Sequence, residues 1–353
     1  MTDKLLAPAT LAGLELRNRL VLAAMSRMQA QADGTPSADM PAYYARYARE
    51  GVGLLITEAI YTDDSSAKAY FNQPGLINER HVEGWRKVVQ AVHAADGKIF
   101  AQLQHGGRLC EPDLNPLHLS ASDGVAAGLT WQTGVPNRPA QAATLAQIEA
   151  IVAGFADCAA RAMRAGFDGV EIHGARGYLV DDFLSASSNR REDDYGGSPT
   201  RRCRLALEIL QAVRKAAPGL PISFNFSLYK MDDSRYSPPG GAAEVAEIAQ
   251  CLVTGGADIL HLTTRKILRD EMWGLSFAAT VRQALPSVSL IANGGIADLR
   301  QAEDALNRLE VQAISLARPL LANPDLLARV EAGLSLKSYA PGDERRPLLE
   351  WGH

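Results

Sequence analysis

Cysteine is scarce in this chain, and its copies are scattered. Cys110, Cys158, Cys203 and Cys251 stand far apart, and no CxxC pair occurs. Zinc and iron–sulfur sites draw on clustered thiols, so no metal is expected. Dispersed thiols suit a reduced, cytoplasmic protein. Basic surplus is missing as well. Lysine and arginine number 36 against 40 acidic residues, for a net charge of −4, so nothing is left over to neutralise a nucleic-acid backbone. No run of about 18 apolar residues occurs, and no membrane span is expected. The opening MTDKLLAPATLAG lacks the basic-then-apolar order of a signal peptide. No GxGxxG turn opens the first strand–helix unit, which weakens the case for an open dinucleotide-binding sheet. Internal repeats and low-complexity tracts are absent too.

What is present is a regular alternation. The chain has 353 residues, 47% of them hydrophobic, enough for a substantial core. Short apolar runs predict strands at Arg19–Ala23, Gly53–Glu58, Lys98–Leu103, Gly169–His173, Pro221–Phe226, Ile259–Thr263, Ser289–Asn293 and Ala313–Leu316. They do not alternate apolar with polar, as befits strands covered on both faces. Between them lie helical patterns such as AQIEAIVAGFADCAARAMRAG, which ends on Gly166, a natural C-cap. Eight strand–helix units in this length predict an α/β fold, a (β/α)8 TIM barrel, with a doubly wound sheet as the competitor. The long loops 106–143 and 186–200 are rich in Pro, Gly, Ser and Asn and are expected to form a capping subdomain. The barrel with its cap would occupy residues 1–330, and residues 331–353 would form a tail.

In such a barrel chemistry sits where strands end. The stretch VEIHGARGYLVDDFL sets His173, Arg176 and Tyr178 within six positions just there. IANGGI supplies Asn293, Gly294 and Gly295 after the seventh strand, where glycine N–H groups can approach a phosphate closely. Arg318 ends the eighth and offers a charged fork to the same group.

Six blocks, LRNRLVLAAMSR, YYARYAREGVGLLITEA, AQLQHGGR, AGFDGVEIHGARGYLVDDFLSASSNRREDDYGGS, IANGGI and ARPLLANPDL, occur in order from about Leu5 to Leu327. They resemble the successive signatures of the old yellow enzymes, FMN-dependent oxidoreductases on a (β/α)8 barrel. The resemblance implies tightly bound, non-covalent FMN and NAD(P)H as reductant. It implies flavin contacts from Ala24, Met25 and Ser26 after the first strand and from Glu58 and Ala59 after the second. Gln102 would meet the pyrimidine edge. His173, Asn225, Asn293, Gly294, Gly295, Ala317 and Arg318 would complete the site. In relatives the His, with a second His or Asn three residues on, holds a substrate carbonyl oxygen, and the Tyr donates a proton. His173 and Tyr178 match that pattern, whereas Arg176 stands in the second donor's place.

Two readings of Arg176 are open. It clamps a substrate carboxylate, or it pairs with Glu171, Asp181 or Asp182. Asn225 is a second departure, standing where relatives carry an arginine toward flavin N1. Lys230, Arg265 and Lys266 are candidates to restore that charge. Ala24 and Ala317 stand where proline and glycine are usual. NRREDDYGGS reads as a polar network ordering the cap. The expected function is hydride transfer from NAD(P)H through FMN to an activated C=C bond, with a small-molecule substrate that is anionic if Arg176 faces it. The alternatives are a dehydrogenase or demethylase of a small amine or acid, and a non-catalytic flavin-binding barrel. A homo-oligomer, dimer or tetramer, is expected, with the tail (Arg345, Arg346, Trp351) reaching a neighbour's active site.

Overall fold

In the computed structural model, which describes residues 3–349, eight parallel strands close into a ring. They are β1 (Leu20–Leu22), β2 (Leu54–Ile56), β3 (Lys98–Gln104), β4 (Gly169–Arg176), β5 (Ile222–Lys230), β6 (Ile259–Thr263), β7 (Ser289–Asn293) and β8 (Ala313–Leu316). Each pairs with its neighbour in chain order, and β8 pairs back to β1. The fold is the (β/α)8 barrel, with its helices outside.

Side-chain alternation builds it. Leu20, Leu22, Leu55, Ile99, Ala101 and Leu103 join the large core between strands and helices. Val21, Leu54, Ile56 and Phe100 point the other way, into a smaller inner core with Ile259, Ile291 and Ala313. That inner core is plugged at one end by Leu11 and Leu16 from the hairpin Ala9–Leu11/Leu14–Leu16. The outer helices follow their sequence signals. The helix Leu145–Ala165 begins with a capping box between Thr144 and Gln147 and stops at Gly166, whose φ of 94° needs no Cβ.

Strands β4 and β5 run past their predicted ends. Beyond Gly174 the register slips, and Arg176 pairs with Lys230. Arg176 takes a φ of 64°, and its carbonyl accepts the Met231 N–H at 3.0 Å. The bulge continues the pairing into the mouth, where hydrophobicity no longer marks a strand.

The cap is built from both long loops. Strands Leu119–Ser120, Gly124–Val125 and Pro139–Ala142 make a small sheet in the first. The second is bonded to it: Arg191 donates to Ala121 O at 3.0 Å and Ala143 O at 2.8 Å, and Arg190 N to Ser122 Oγ at 2.8 Å. Asn189 Nδ2 spans Phe183 O and Tyr195 O, both at 2.7 Å. The described part of the tail packs on the chain's own barrel. The buried Arg27 guanidinium draws it in, donating to Glu344 O at 3.0 Å and Arg346 O at 2.7 Å. Trp351 lies outside the described residues. No helix among them is long and apolar enough to cross a membrane.

Leu11 is fully buried in the barrel plug. Leu11→Ala is expected to destabilise the fold by about 2–5 kcal/mol, read as a lower urea midpoint.

Candidate active site

The mouth of the barrel rests on a polar layer. Glu171 points inward from β4 and is fully buried. Its carboxylate accepts Gln102 Nε2 at 2.8 Å and Ser223 Oγ at 2.8 Å, and meets His261 Nδ1 at 2.8 Å. His261 Nε2 continues to Ser315 Oγ at 2.7 Å, which also accepts Asn293 Nδ2 at 2.9 Å. Burial alone would raise the Glu171 pKa, but these donors outweigh it and hold it below the ordinary value. The carboxylate is therefore ionised, and it fixes Gln102 and, through His261 and Ser315, Asn293.

Above this floor opens a cavity of about 730 Å³, within the range of ligand sites. The residues named from sequence come together on its wall. Ala24, Met25 and Ser26 line it from the end of β1, Ala59 from β2 and Gln102 from β3. His173, Arg176 and Tyr178 line it from β4, and Asn225 from β5. Asn293, Gly294 and Gly295, with Ala317 and Arg318, line the far end. Glu58 lies off the cavity. It accepts the Arg27 and Met28 N–H groups at 2.9 and 3.0 Å, which anchors the loop behind Ser26. Burial pushes its pKa up to about 7 against those hydrogen bonds.

At the far end Gly294 and Gly295 have φ of 144° and 67°. A Cβ on Gly294 would run into Thr264 O, and one on Gly295 would lie 2.7 Å from Arg265 O. The turn therefore needs glycine to close against the loop after β6. The Gly295 N–H has no acceptor among the described residues. Arg318 is exposed beside it with no carboxylate partner among them. Ala317 has a φ of −104°, a conformation open to any L-residue, so its Cβ is tolerated.

The other end is aromatic. His173 is 6% exposed, and its Nδ1 has no partner. Its ring lies 5.1 Å from that of Tyr178. Burial, helped by Arg176, drives the His173 pKa down to about 3, so the imidazole is neutral at ordinary pH. Gly177, with φ of 90°, turns the chain. Its N–H donates to Asp181 Oδ2 at 2.6 Å, and Tyr178 enters the helix Leu179–Leu184 from there. The Tyr178 hydroxyl is bonded to that of Tyr70. Burial raises the Tyr70 pKa. Met28, Leu109, Ala126, Trp131 and Met231 surround the two phenols.

Arg176 is half-buried and takes no carboxylate among the described residues. Of its proposed partners, Glu171 belongs to His261, Asp181 to Lys230, and Asp182 to Ser120 and Arg108. None of these three carboxylates pairs with Arg176. Lys230 is buried with Asp181 and does not line the cavity, so it cannot supply charge near Asn225. Lys266 does not line it either, whereas Arg265 stands at the rim with its guanidinium 4.3 Å from the Tyr229 ring centre. Asn225 donates to Thr263 Oγ1 at 3.2 Å, and its Oδ1 is left buried without a partner. Sequence reading missed Tyr70, Trp131, Tyr229 and Tyr339, which also line the cavity. Only their aromatic character marked them, Tyr229 at the end of β5 and the other three in irregular segments.

The cavity thus has a glycine turn and a guanidinium for a phosphate at one end, polar amides on its floor, and an imidazole with a phenol at the other. Orphaned polar atoms at Gly295, Asn225 and His173 fit an elongated phosphorylated ligand with a hydrogen-bonding ring. These are the features of a barrel oxidoreductase with a resident flavin nucleotide. The model of the NADH:flavin oxidoreductase / NADH oxidase family matches residues 4–337, and the chain belongs to that family. Its members, the old yellow enzymes among them, are FMN-dependent and use NAD(P)H. A probable flavin mononucleotide-dependent alkene reductase of Leishmania infantum is 31% identical over 96% of this chain and 93% of its own. An NADH:fumarate oxidoreductase of Klebsiella pneumoniae is 30% identical over 98% of this chain, which spans 38% of that longer protein. The old yellow enzyme homologue from Zymomonas mobilis superposes with a TM-score of 0.88 at 28% identity, over 98% of this chain and 97% of that one. Morphinone reductase in complex with tetrahydroNAD gives 0.85 at 30% identity, over 97% and 94%.

Gly294→Ala is expected to yield a folded protein by circular dichroism that loses flavin absorbance on gel filtration. His173 should keep its neutral form throughout about pH 5–8. Its ring resonances in NMR should titrate only as pH falls toward about 3, and Arg176→Gln, by removing a repelling cation, should move that midpoint up.

Proposed function

We propose that this protein reduces the activated C=C bond of an α,β-unsaturated carbonyl compound. The observation that carries the reading is the neutral, buried His173 with a free ring nitrogen beside the Tyr178 phenol. FMN, when bound, passes hydride from NAD(P)H to the substrate's β-carbon. His173 and Arg176 hold the carbonyl oxygen on which negative charge gathers, and fixed donors stabilise that charge best in a cavity poor in water. The Tyr178 hydroxyl gives its proton to the α-carbon. Tyr70, bonded to it, fixes the phenol's direction and offers a route for the proton's return from solvent. Gln102, Asn225, Gly294, Gly295 and Arg318 hold the cofactor along its length, and Ala24, Met25, Ser26, Ala59, Asn293 and Ala317 fit around it. The names of the Leishmania relative and of the Penicillium roqueforti chanoclavine-I aldehyde reductases, 33% and 31% identical, support a reductase.

The opposite flow, oxidation of a small amine or acid, was the alternative suggested by Asn225 and Arg176. Neither favours it. With an amide at Asn225 in place of the family's arginine, the cofactor accepts electrons less readily, which suits giving hydride away.

Tyr178→Phe should slow re-oxidation of the reduced enzyme by 2-cyclohexenone about 10²–10⁴-fold and leave reduction by NAD(P)H unchanged, both by stopped flow. Unaltered re-oxidation would remove Tyr178 from the role. Bleaching by an amine or acid but by neither nicotinamide would reverse the direction proposed.

A further inference from the structure

We infer that the substrate is an anion before any chemistry begins, an α,β-unsaturated carboxylic acid with an apolar body, and that Arg176 is the counter-ion of its carboxylate. This rests on the alkene-reductase reading and names the compound class for the same cavity.

The backbone, and not an ion partner, puts Arg176 where it is. The bulge in β4, the φ of 64° and the bond from Met231 N to Arg176 O fix its Cα. The side chain then leaves the strand toward the cavity, with its guanidinium 5.7 Å from the Tyr229 ring centre. The three carboxylates nearest to it in sequence are committed elsewhere. Glu171 holds His261 at 2.8 Å, Asp181 is bonded to Lys230, and Asp182 accepts Ser120 Oγ and Ala121 N, both at 2.8 Å. Among the described lining residues the charged groups are Arg176, Arg265, Arg318 and Glu344. Glu344 accepts the Tyr339 hydroxyl at 2.6 Å. Arg318 stands beside the glycine turn, and the Arg265 backbone packs against Gly295 there, which leaves Arg176 as the cation next to His173.

The kind of donor decides the kind of ligand. A ketone or aldehyde is neutral until the hydride arrives, so neutral donors suffice for it. His173 is such a donor. A permanent cation set into a cavity wall loses hydration in every state and recovers it only against a permanent anion. Its planar fork matches the two oxygens of a carboxylate. His173 and Arg176, three residues apart on one strand, offer an imidazole and a guanidinium to one acyl group. The collar of Tyr70, Trp131 and Met231 accepts the apolar remainder.

The reaction balances as an alkene reduction. The β-carbon gains hydride from NAD(P)H by way of the cofactor, and the π bond breaks as its electrons move toward the carboxylate. The α-carbon then takes the Tyr178 proton. NAD(P)H becomes NAD(P)+, the product is the saturated acid, and solvent returns the proton to the tyrosine.

The test titrates oxidised holoprotein with two ligands of matched shape, trans-cinnamate and trans-cinnamamide, following the flavin absorption band. Wild type should bind the acid about 10–100-fold more tightly than the amide. Arg176→Gln should erase that preference and Arg176→Lys should keep part of it, with thermal melting and flavin content checking each variant. Equal affinity for acid and amide in wild type overturns the inference. So does a preference that survives in Arg176→Gln. A changed flavin midpoint potential in Arg176→Gln, with the acid preference intact, overturns it by moving the cation's role to the cofactor. Re-oxidation of reduced enzyme by 2-cyclohexenone separates the two proposals. If the ketone is reduced and acids gain nothing, the carboxylate assignment falls alone. If neither ketone nor acid takes hydride while cinnamate still binds through Arg176, the reaction falls and the anion site stands.

Discussion

One buried carboxylate holds the mouth of this barrel in order. Glu171 ties together side chains from β3, β4, β5 and β6, and through His261 and Ser315 the tie reaches β8 and β7. An ion so deep survives only because every oxygen is met, and losing one partner of such a group costs about 3–5 kcal/mol. Its partners are the residues that form the cavity floor. The orientation of Gln102, and the placing of Asn293 at the start of the glycine turn, are thus consequences of the same network that offsets the charge's desolvation. Above it the protein can afford unsatisfied atoms, at His173 Nδ1 and Asn225 Oδ1, because the floor beneath them is rigid.

The strands could be read from sequence because a barrel strand covered on both faces is apolar throughout. The pattern weakened where function begins. β4 and β5 continue through Gly174–Arg176 and Ser227–Lys230, where Arg176 and Tyr229 line the cavity and the bulge breaks the two-residue period. Glycine turns and the imidazole–phenol pair were visible because their chemistry demands particular residues at fixed spacing. Partnerships were not. Arg176 has Glu171, Asp181 and Asp182 within six positions, yet alternation turns Glu171 down into the barrel and the helix Leu179–Leu184 carries both aspartates away. Lys230 meets Asp181 only because β4 and β5 stay paired beyond the bulge. Tyr70 and Trp131 come from irregular segments, where no periodicity predicts which way a ring will point.

The tail illustrates the same limit. Its sequence offers cations and aromatics that would suit a neighbouring subunit as well as its own. The buried Arg27 guanidinium, with tail carbonyls as its acceptors, ties residues 344–346 to its own barrel. Tyr339 and Glu344 thereby become part of the cavity rim. A loop anchored by Glu58 and a tail anchored by Arg27 meet at adjacent residues, so the β1 loop that carries Ser26 is braced from both sides.

The two departures from the family pattern make sense together. On the proposed reading, Asn225 replaces a charged residue of the family pattern on the cofactor's side of the cavity, and Arg176 adds a charge on the substrate's side. A unit charge about 4 Å from a reducible ring is worth about 4 kcal/mol at an effective dielectric of about 20. For a two-electron couple that is roughly 90 mV, an upper bound because backbone dipoles and solvent share the field. Its removal makes the bound cofactor a stronger hydride donor. A conjugated carboxylate is a poorer hydride acceptor than a ketone, since its charge already repels the incoming electrons. On the proposed reading, a cation at the acceptor and a neutral Asn225 at the donor lower both obstacles at once. The exchange of a neutral donor for Arg176 alone would leave a reductant matched to easier substrates, and the loss at Asn225 alone would leave a strong reductant without a reason for its strength.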